Sequence, residues 1–104
     1  MLSLRPLPDP IPLNQQFRFL VDVLDPATLR RLDGERIQVN AWMPDHGHDM
    51  NRRPRVTQLE DGSFVAEGML FFMRGRWQVQ VNVFHGRASG QALVDYEVGE
   101  LPEG

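Results

Sequence analysis

The sequence predicts an all-β fold, an immunoglobulin-like antiparallel β-sandwich of about seven strands. Short segments with alternating apolar and polar residues recur along the chain, and each has one apolar face. Nine glycines and eight prolines are spread among them, which favours many turns over long helices. No segment shows a sustained helical periodicity. Strands with a single apolar face are buried best between two packed sheets.

The chain begins with a proline-rich arm, residues 1–16, which we expect to precede a single domain over residues 17–104. Four prolines, Pro6, Pro8, Pro10 and Pro12, exclude helix because proline has no amide donor. They suit a polyproline II arm or an edge strand. A linker or a proline-rich ligand is the functional interpretation, and we prefer a lead-in that lies along the domain edge.

Two strands and a short turn are predicted before the middle of the chain. Phe17, Phe19, Val21 and Val23 alternate with less apolar residues, which predicts the first strand. A proline ends it, and residues 27–32 suit one helical turn. A second alternation over residues 37–42 predicts the strand that follows.

The second half predicts a hairpin and two further strands. Asp61-Gly62 separates strand-like residues 55–60 and 63–68, and an Asp-Gly pair is a strong hairpin signal. An apolar run over residues 69–73 continues that strand. Alternating segments at 77–83 and 91–98 complete the predicted sandwich, and residues 101–104 read as a tail.

Composition excludes several classes of function. The chain has no cysteine, so disulfides and thiolate metal sites are absent. A net charge of −3 disfavours nucleic-acid binding, and no apolar run has the roughly 20 residues of a membrane span. Ser3, Ser63 and Ser89 lie in no nucleophile motif, and the carboxylates are scattered. We therefore expect a non-enzymatic protein.

One segment, residues 41–51, concentrates the residues that can bind a metal. Met43, His46, His48 and Met50 place two thioethers and two imidazoles within eight positions. Thioether and imidazole donors together suit copper, whereas structural zinc usually takes more histidines or cysteines than this. In an extended loop the two histidines point to the same side. Asp45 and Asp49 can add an oxygen ligand or orient an imidazole.

A structural interpretation of the same segment stays open. Methionines at strand ends are commonly core residues, and the two histidines can tie the loop to the sandwich through hydrogen bonds. Elsewhere, His85 becomes a third ligand only if its strand end lies beside the loop. Trp42 and Trp77 can cover the loop or lie in the core, and the core is the usual place for tryptophan in such a fold.

An arginine cluster, Arg52, Arg53 and Arg55, follows the segment directly. It has two interpretations. The arginines can meet an anionic partner or a lipid headgroup, or they can form solvated ion pairs with Asp45 and Asp49.

The segment from Trp42 to Met50, followed by Asp61-Gly62 and the run Phe71-Phe72-Met73-Arg74-Gly75-Arg76-Trp77, resembles the YtkA-like domain family. That family shows a Met-Pro-x-His-Gly-His-Gly-Met core, from which this chain departs at Asp49. The resemblance implies a small immunoglobulin-like domain, usually exported or membrane-tethered in bacteria, similar in setting to FixH-type and CopC-like copper proteins.

We therefore expect a periplasmic or extracytoplasmic domain, after removal of a signal or anchor segment that this chain lacks. We expect this domain to bind or deliver copper through His46, His48, Met43 and Met50, and to have a copper protein or a membrane oxidase assembly factor as its partner. The alternative is a structural or protein-interaction domain in which the loop is a rigid element.

Overall fold

The computed structural model describes residues 1–99, and in this range it is an antiparallel β-sandwich of two four-stranded sheets. The strands are β1 (Leu2–Leu7), β2 (Gln16–Val23), β3 (Arg36–Met43), β4 (His48–Asp49), β5 (Arg55–Gln58), β6 (Phe64–Leu70), β7 (Gly75–His85) and β8 (Ala88–Val98). The first sheet has the order β1-β2-β6-β5 and the second β4-β3-β7-β8. The predicted immunoglobulin-like sandwich is confirmed. The predicted tail lies outside the described residues.

The core is formed where alternating strand positions of the two sheets meet. In β3 every second residue is buried and the residues between are exposed, as the period of two requires. Phe19 of the first sheet contacts Tyr96 of the second, with ring centroids 5.5 Å apart. Phe71 stacks on the fully buried Trp77 at 4.5 Å, so Trp77 is a core residue as predicted.

The N-terminal lead-in forms an edge strand of the first sheet. β1 pairs with β2 along its whole length, from Leu2 opposite Val23 to Leu7 opposite Arg18. Proline is tolerated at such an edge because an outward-facing position needs no amide donor. Pro6 lies inside this strand.

Residues 25–32 form a closed loop with one helical hydrogen bond, from the Leu29 amide to the Asp25 carbonyl at 2.8 Å, so the single turn begins two residues before the expected one. The Asp25 carboxylate accepts hydrogen bonds from the amides of Ala27 and Thr28, and Leu29 has a left-handed φ of 59°. A bridge between Leu24 and Arg31 closes the loop. The left-handed residue stops helix growth after a single turn. Within the described chain, no helix has the length and hydropathy to cross a membrane.

The predicted hairpin between β5 and β6 is confirmed, with a wider turn than an Asp-Gly pair alone implies. Gln58 pairs with Phe64, and only Gly62 of the two turn residues has a positive φ, 91°. Asp61 instead accepts hydrogen bonds from the backbone amide and the hydroxyl of Ser63, at 2.9 and 2.5 Å. Ser63 is buried, so this carboxylate satisfies a hydroxyl that has left water.

These hydrogen bonds lower the pKa of Asp61, chiefly through the Ser63 hydroxyl. We expect Ser63→Ala to raise the pKa of Asp61 toward its ordinary value, as measured by NMR titration of the carboxyl carbon. The ionised Asp61 stabilises the turn above its ordinary pKa, and this contribution is lost as the pH falls through the lowered value. Ser89→Ala, at an exposed site, is the control and leaves the titration unchanged. An identical Asp61 titration in wild type and Ser63→Ala contradicts the prediction.

Candidate functional site

The candidate metal-binding segment is a tight hairpin that joins β3 to β4. Met43 pairs with His48, and Trp42 pairs with Asp49. The carbonyl oxygen of Met43 accepts the amides of His46 and Gly47, at 3.2 and 2.8 Å. Gly47 has a φ of 65°, the left-handed conformation that glycine adopts without strain. The backbone alone therefore closes this turn.

The two histidines stand next to each other on the outside of the hairpin. Both are exposed, their ring centroids are 6.2 Å apart and their ring planes differ by 18°. In residues 1–99, the side-chain hydrogen bonds of the hairpin are made by Trp42, Asp45 and Asp49, and neither imidazole takes part in one. Both rings thus keep nitrogen atoms available to an external ligand.

The two methionines of the segment lie in the core. Met43 is fully buried and Met50 is 4% exposed. The terminal methyl of Met43 lies so close to Gly75 that a side chain at Gly75 would start only 2.9 Å from it. The structure therefore brings the two imidazoles together at the surface and directs the two thioethers inward.

Each carboxylate of the hairpin has a partner. Asp45 accepts two hydrogen bonds from the Arg76 guanidinium, at 3.1 and 3.2 Å, and these lower the pKa of Asp45 and raise the pKa of Arg76. Asp49 accepts the amide of Asn51 at 2.6 Å. Both aspartates therefore stabilise the hairpin. Asp45 forms its ion pair with Arg76, and not with the arginine cluster as one of the two interpretations expected.

A chain of polar contacts continues from this ion pair across the sheet. Arg76 also donates to Asp95, and Asp95 accepts from Gln78. Gln78 in turn accepts the indole hydrogen of Trp42 at 3.1 Å. Trp42 is 37% exposed, so of its two expected positions the core is excluded. Successive side chains of a strand point to opposite faces, so the ring of Trp42 points outward while its neighbour Met43 points into the core.

The two sequence motifs meet at this end of the sandwich. The ring centroid of Phe72, in the second motif, lies 6.5 Å from that of His48. Gly75 lies against Met43, and Arg76 forms an ion pair with Asp45. Phe72 and Arg76 belong to the second motif and lie outside the predicted ligand set. The two motifs come into contact only through the pairing of β7 with β3, which the sequence does not display.

His85 lies far from this hairpin. It ends β7, whereas Arg76 lies near the beginning, and nine residues of strand at about 3.3 Å each separate the two. The His85 ring contacts the buried Glu35, with 2.8 Å between Nδ1 and Oε1. His85 therefore does not complete a three-histidine site. Over residues 1–99, no group of three or more His, Cys, Asp or Glu side chains is arranged to hold a metal.

Comparison with known proteins identifies one family. The sequence model described as YtkA-like matches residues 8–82, which include both motifs and most of the sandwich. No curated protein and no solved structure gives a significant match to the chain.

The close approach of Met43 and the positive φ of Gly75 predict that this position favours glycine. We expect Gly75→Ala to lower the free energy of unfolding by about 1–3 kcal/mol, because φ is 132° and the new methyl meets Met43. Chemical denaturation gives the value.

A double-mutant cycle with Met43→Val separates the two causes. Shortening Met43 removes the contact, so the double variant should be more stable than the sum of the single effects. Strict additivity contradicts a contact between these side chains, and wild-type stability of Gly75→Ala contradicts both causes.

Proposed function

The chain belongs to the YtkA-like family, and from that premise we propose that it is a non-enzymatic domain of an exported bacterial protein that binds copper through His46 and His48. The observation that carries the proposal is the pair of exposed, parallel imidazoles with no hydrogen bond to the rest of the described chain. Solvated, unpaired imidazoles are well placed as ligands, because binding costs them no intramolecular contact.

The rings are close enough to share one ion. Their centroids are 6.2 Å apart, and because the rings are stacked, each must rotate about its side-chain bonds to direct a nitrogen at an ion about 2 Å away. Imidazole binds Cu(I) and Cu(II), so both oxidation states are covered by this donor set. Phe72 gives the site an apolar neighbour at His48.

The proposal assigns the methionines a different role from that of ligands. Burial of Met43 and Met50 anchors the hairpin on both sides of the histidines. A thioether that left the core to bind an ion would leave a cavity, which costs about 2–5 kcal/mol for a large side chain. Two imidazoles at the surface, held by two buried thioethers, form an open site from which an ion can pass to a copper-accepting partner.

A second candidate, a rigid recognition element without metal, is favoured by the way the hairpin is closed. The backbone hydrogen bonds at Met43 and the ion pair between Asp45 and Arg76 hold the turn without any contribution from an imidazole. In that case the exposed rings contact a partner protein directly.

Calorimetric titration with Cu(I) and with Cu(II) tests the proposal. We expect saturable binding of one ion by the wild type, and binding by His46→Ala/His48→Ala that is weaker by more than tenfold, about 1.4 kcal/mol. Met43→Leu and Met50→Leu are the matched controls, because they keep an apolar side chain of similar volume in the core. Both controls should bind copper as the wild type does.

Three other outcomes of these titrations would contradict or revise the proposed site. Equal copper binding by wild type and the double histidine variant contradicts the proposed site. Loss of copper binding in a methionine control that retains wild-type stability returns the thioethers to the ligand set. A histidine variant that loses thermal stability without metal assigns the imidazoles a structural role.

A further inference from the structure

The free edge of β3 combines three features that the copper proposal does not use. β4 pairs with only the last two residues of β3, Trp42 and Met43. Along residues 36–41 the strand is paired with β7 on one side and makes no backbone hydrogen bond within the described chain on the other. Unpaired amides and carbonyls at a strand edge are a template for another strand.

The edge is open because β4 turns away from it. Met50 points into the core, and Asn51 has a left-handed φ of 57°, stabilised by its amide hydrogen bond to Asp49. The chain then crosses to the first sheet, where it enters β5 at Arg55. It leaves a concave surface between itself and β3.

That surface consists of two adjoining grooves with volumes of about 620 and 490 Å³. Asn40 and Arg53 line both. The first also includes the exposed ring of Trp42. Together the grooves follow β3 from Ile37 to Trp42, a length that suits an extended peptide of about six residues at 3.3 Å each.

The charge beside the grooves is positive, although Arg52 also donates to the Gly68 carbonyl at 3.5 Å and Arg55 lies opposite Glu67 where β5 pairs with β6. Arg52, Arg53 and Arg55 are exposed, and the salt bridges of the described chain involve none of them. Asp49 also lines the first groove, but its carboxylate is bonded to the Asn51 amide. The solvated ion pairs expected for this cluster are thus not formed with Asp45 or Asp49.

We propose that the free edge of β3 is a docking site for an extended acidic segment of a partner protein, which adds to the second sheet as a strand. Backbone hydrogen bonds to residues 36–41 hold the segment, and its carboxylates contact Arg52 and Arg53. This mode of recognition takes affinity from the main chain and specificity from the side chains. It uses residues other than His46 and His48 and stands independently of copper binding.

A second copy of this chain is a poorer occupant. Antiparallel pairing of two β3 edges about a two-fold axis places both arginine clusters along one seam. Like charges at an interface oppose association. The acidic segment neutralises the same cluster, so charge complementarity selects it.

NMR titration of the ¹⁵N-labelled chain with synthetic ten-residue peptides tests the proposal. The probe alternates valine and glutamate, and two comparators replace either every glutamate by lysine or every valine by proline. We expect saturable shifts of the amides of residues 36–41 with the glutamate peptide. The lysine peptide lacks the charge, and the proline peptide cannot form a regular ladder, so both should bind more weakly.

Arg52→Gln/Arg53→Gln is expected to weaken binding of the glutamate peptide about fivefold, since two exposed ion pairs are lost. Arg87→Gln, in the exposed turn between β7 and β8, is the matched control and should bind within twofold of wild type.

Several results overturn the proposal. These are absence of saturable binding at millimolar peptide, shifts confined to β8, or equal binding of the proline or lysine peptide. Binding to phosphatidylglycerol vesicles without binding to the peptide assigns the arginines to a lipid surface. A dimer detected by sedimentation, with protected β3 amides, assigns the edge to a second copy.

Discussion

Burial of Met43 against Gly75 is the contact on which this end of the molecule depends. Met43 is the last residue of β3, and its carbonyl closes the hairpin that carries both histidines. Its terminal methyl occupies the space beside Gly75, where a Cβ would lie only 2.9 Å away. Residue 76 follows directly and supplies the guanidinium that holds Asp45. The contact between Met43 and Gly75 thus positions the end of β3, the hairpin turn and the ion pair that stabilises the turn.

The strand pattern could be predicted because each strand of the core has one buried face. The alternation of β2, β3 and β7 is explicit in the sequence, and a fold that buries all three faces follows from it. β1 was harder to define, since its leucines precede a run of prolines that suits an arm as well as an edge strand. β4 has two residues and no periodicity to detect. Its existence depends on pairing with Trp42 and Met43.

At the candidate site, the residue types indicated metal binding, whereas the contacts of each side chain depended on the fold. Alternation along β3 already placed Met43 in phase with the apolar residues 37, 39 and 41 and Trp42 on the opposite face. The sequence could not show what each side chain meets there, which is Gly75 for Met43 and Gln78 for Trp42. The partnership of Asp45 with Arg76 joins positions 31 residues apart, so only the β3–β7 register brings them together.

Burial of Met50 links the histidine pair to the free edge of β3. An extended chain continuing past Asp49 would pair further along β3 and cover the edge. Met50 points into the core, and the left-handed Asn51 turns the chain toward the first sheet, so β4 ends after two residues. This early end leaves His46 and His48 on a short hairpin, and within the described chain it leaves residues 36–41 without a partner strand on the side of the arginine cluster. The burial of this one thioether therefore leaves the edge of β3 without a partner strand within the described chain, and a partner docked there as proposed would lie at the same end of β3 as the proposed copper site.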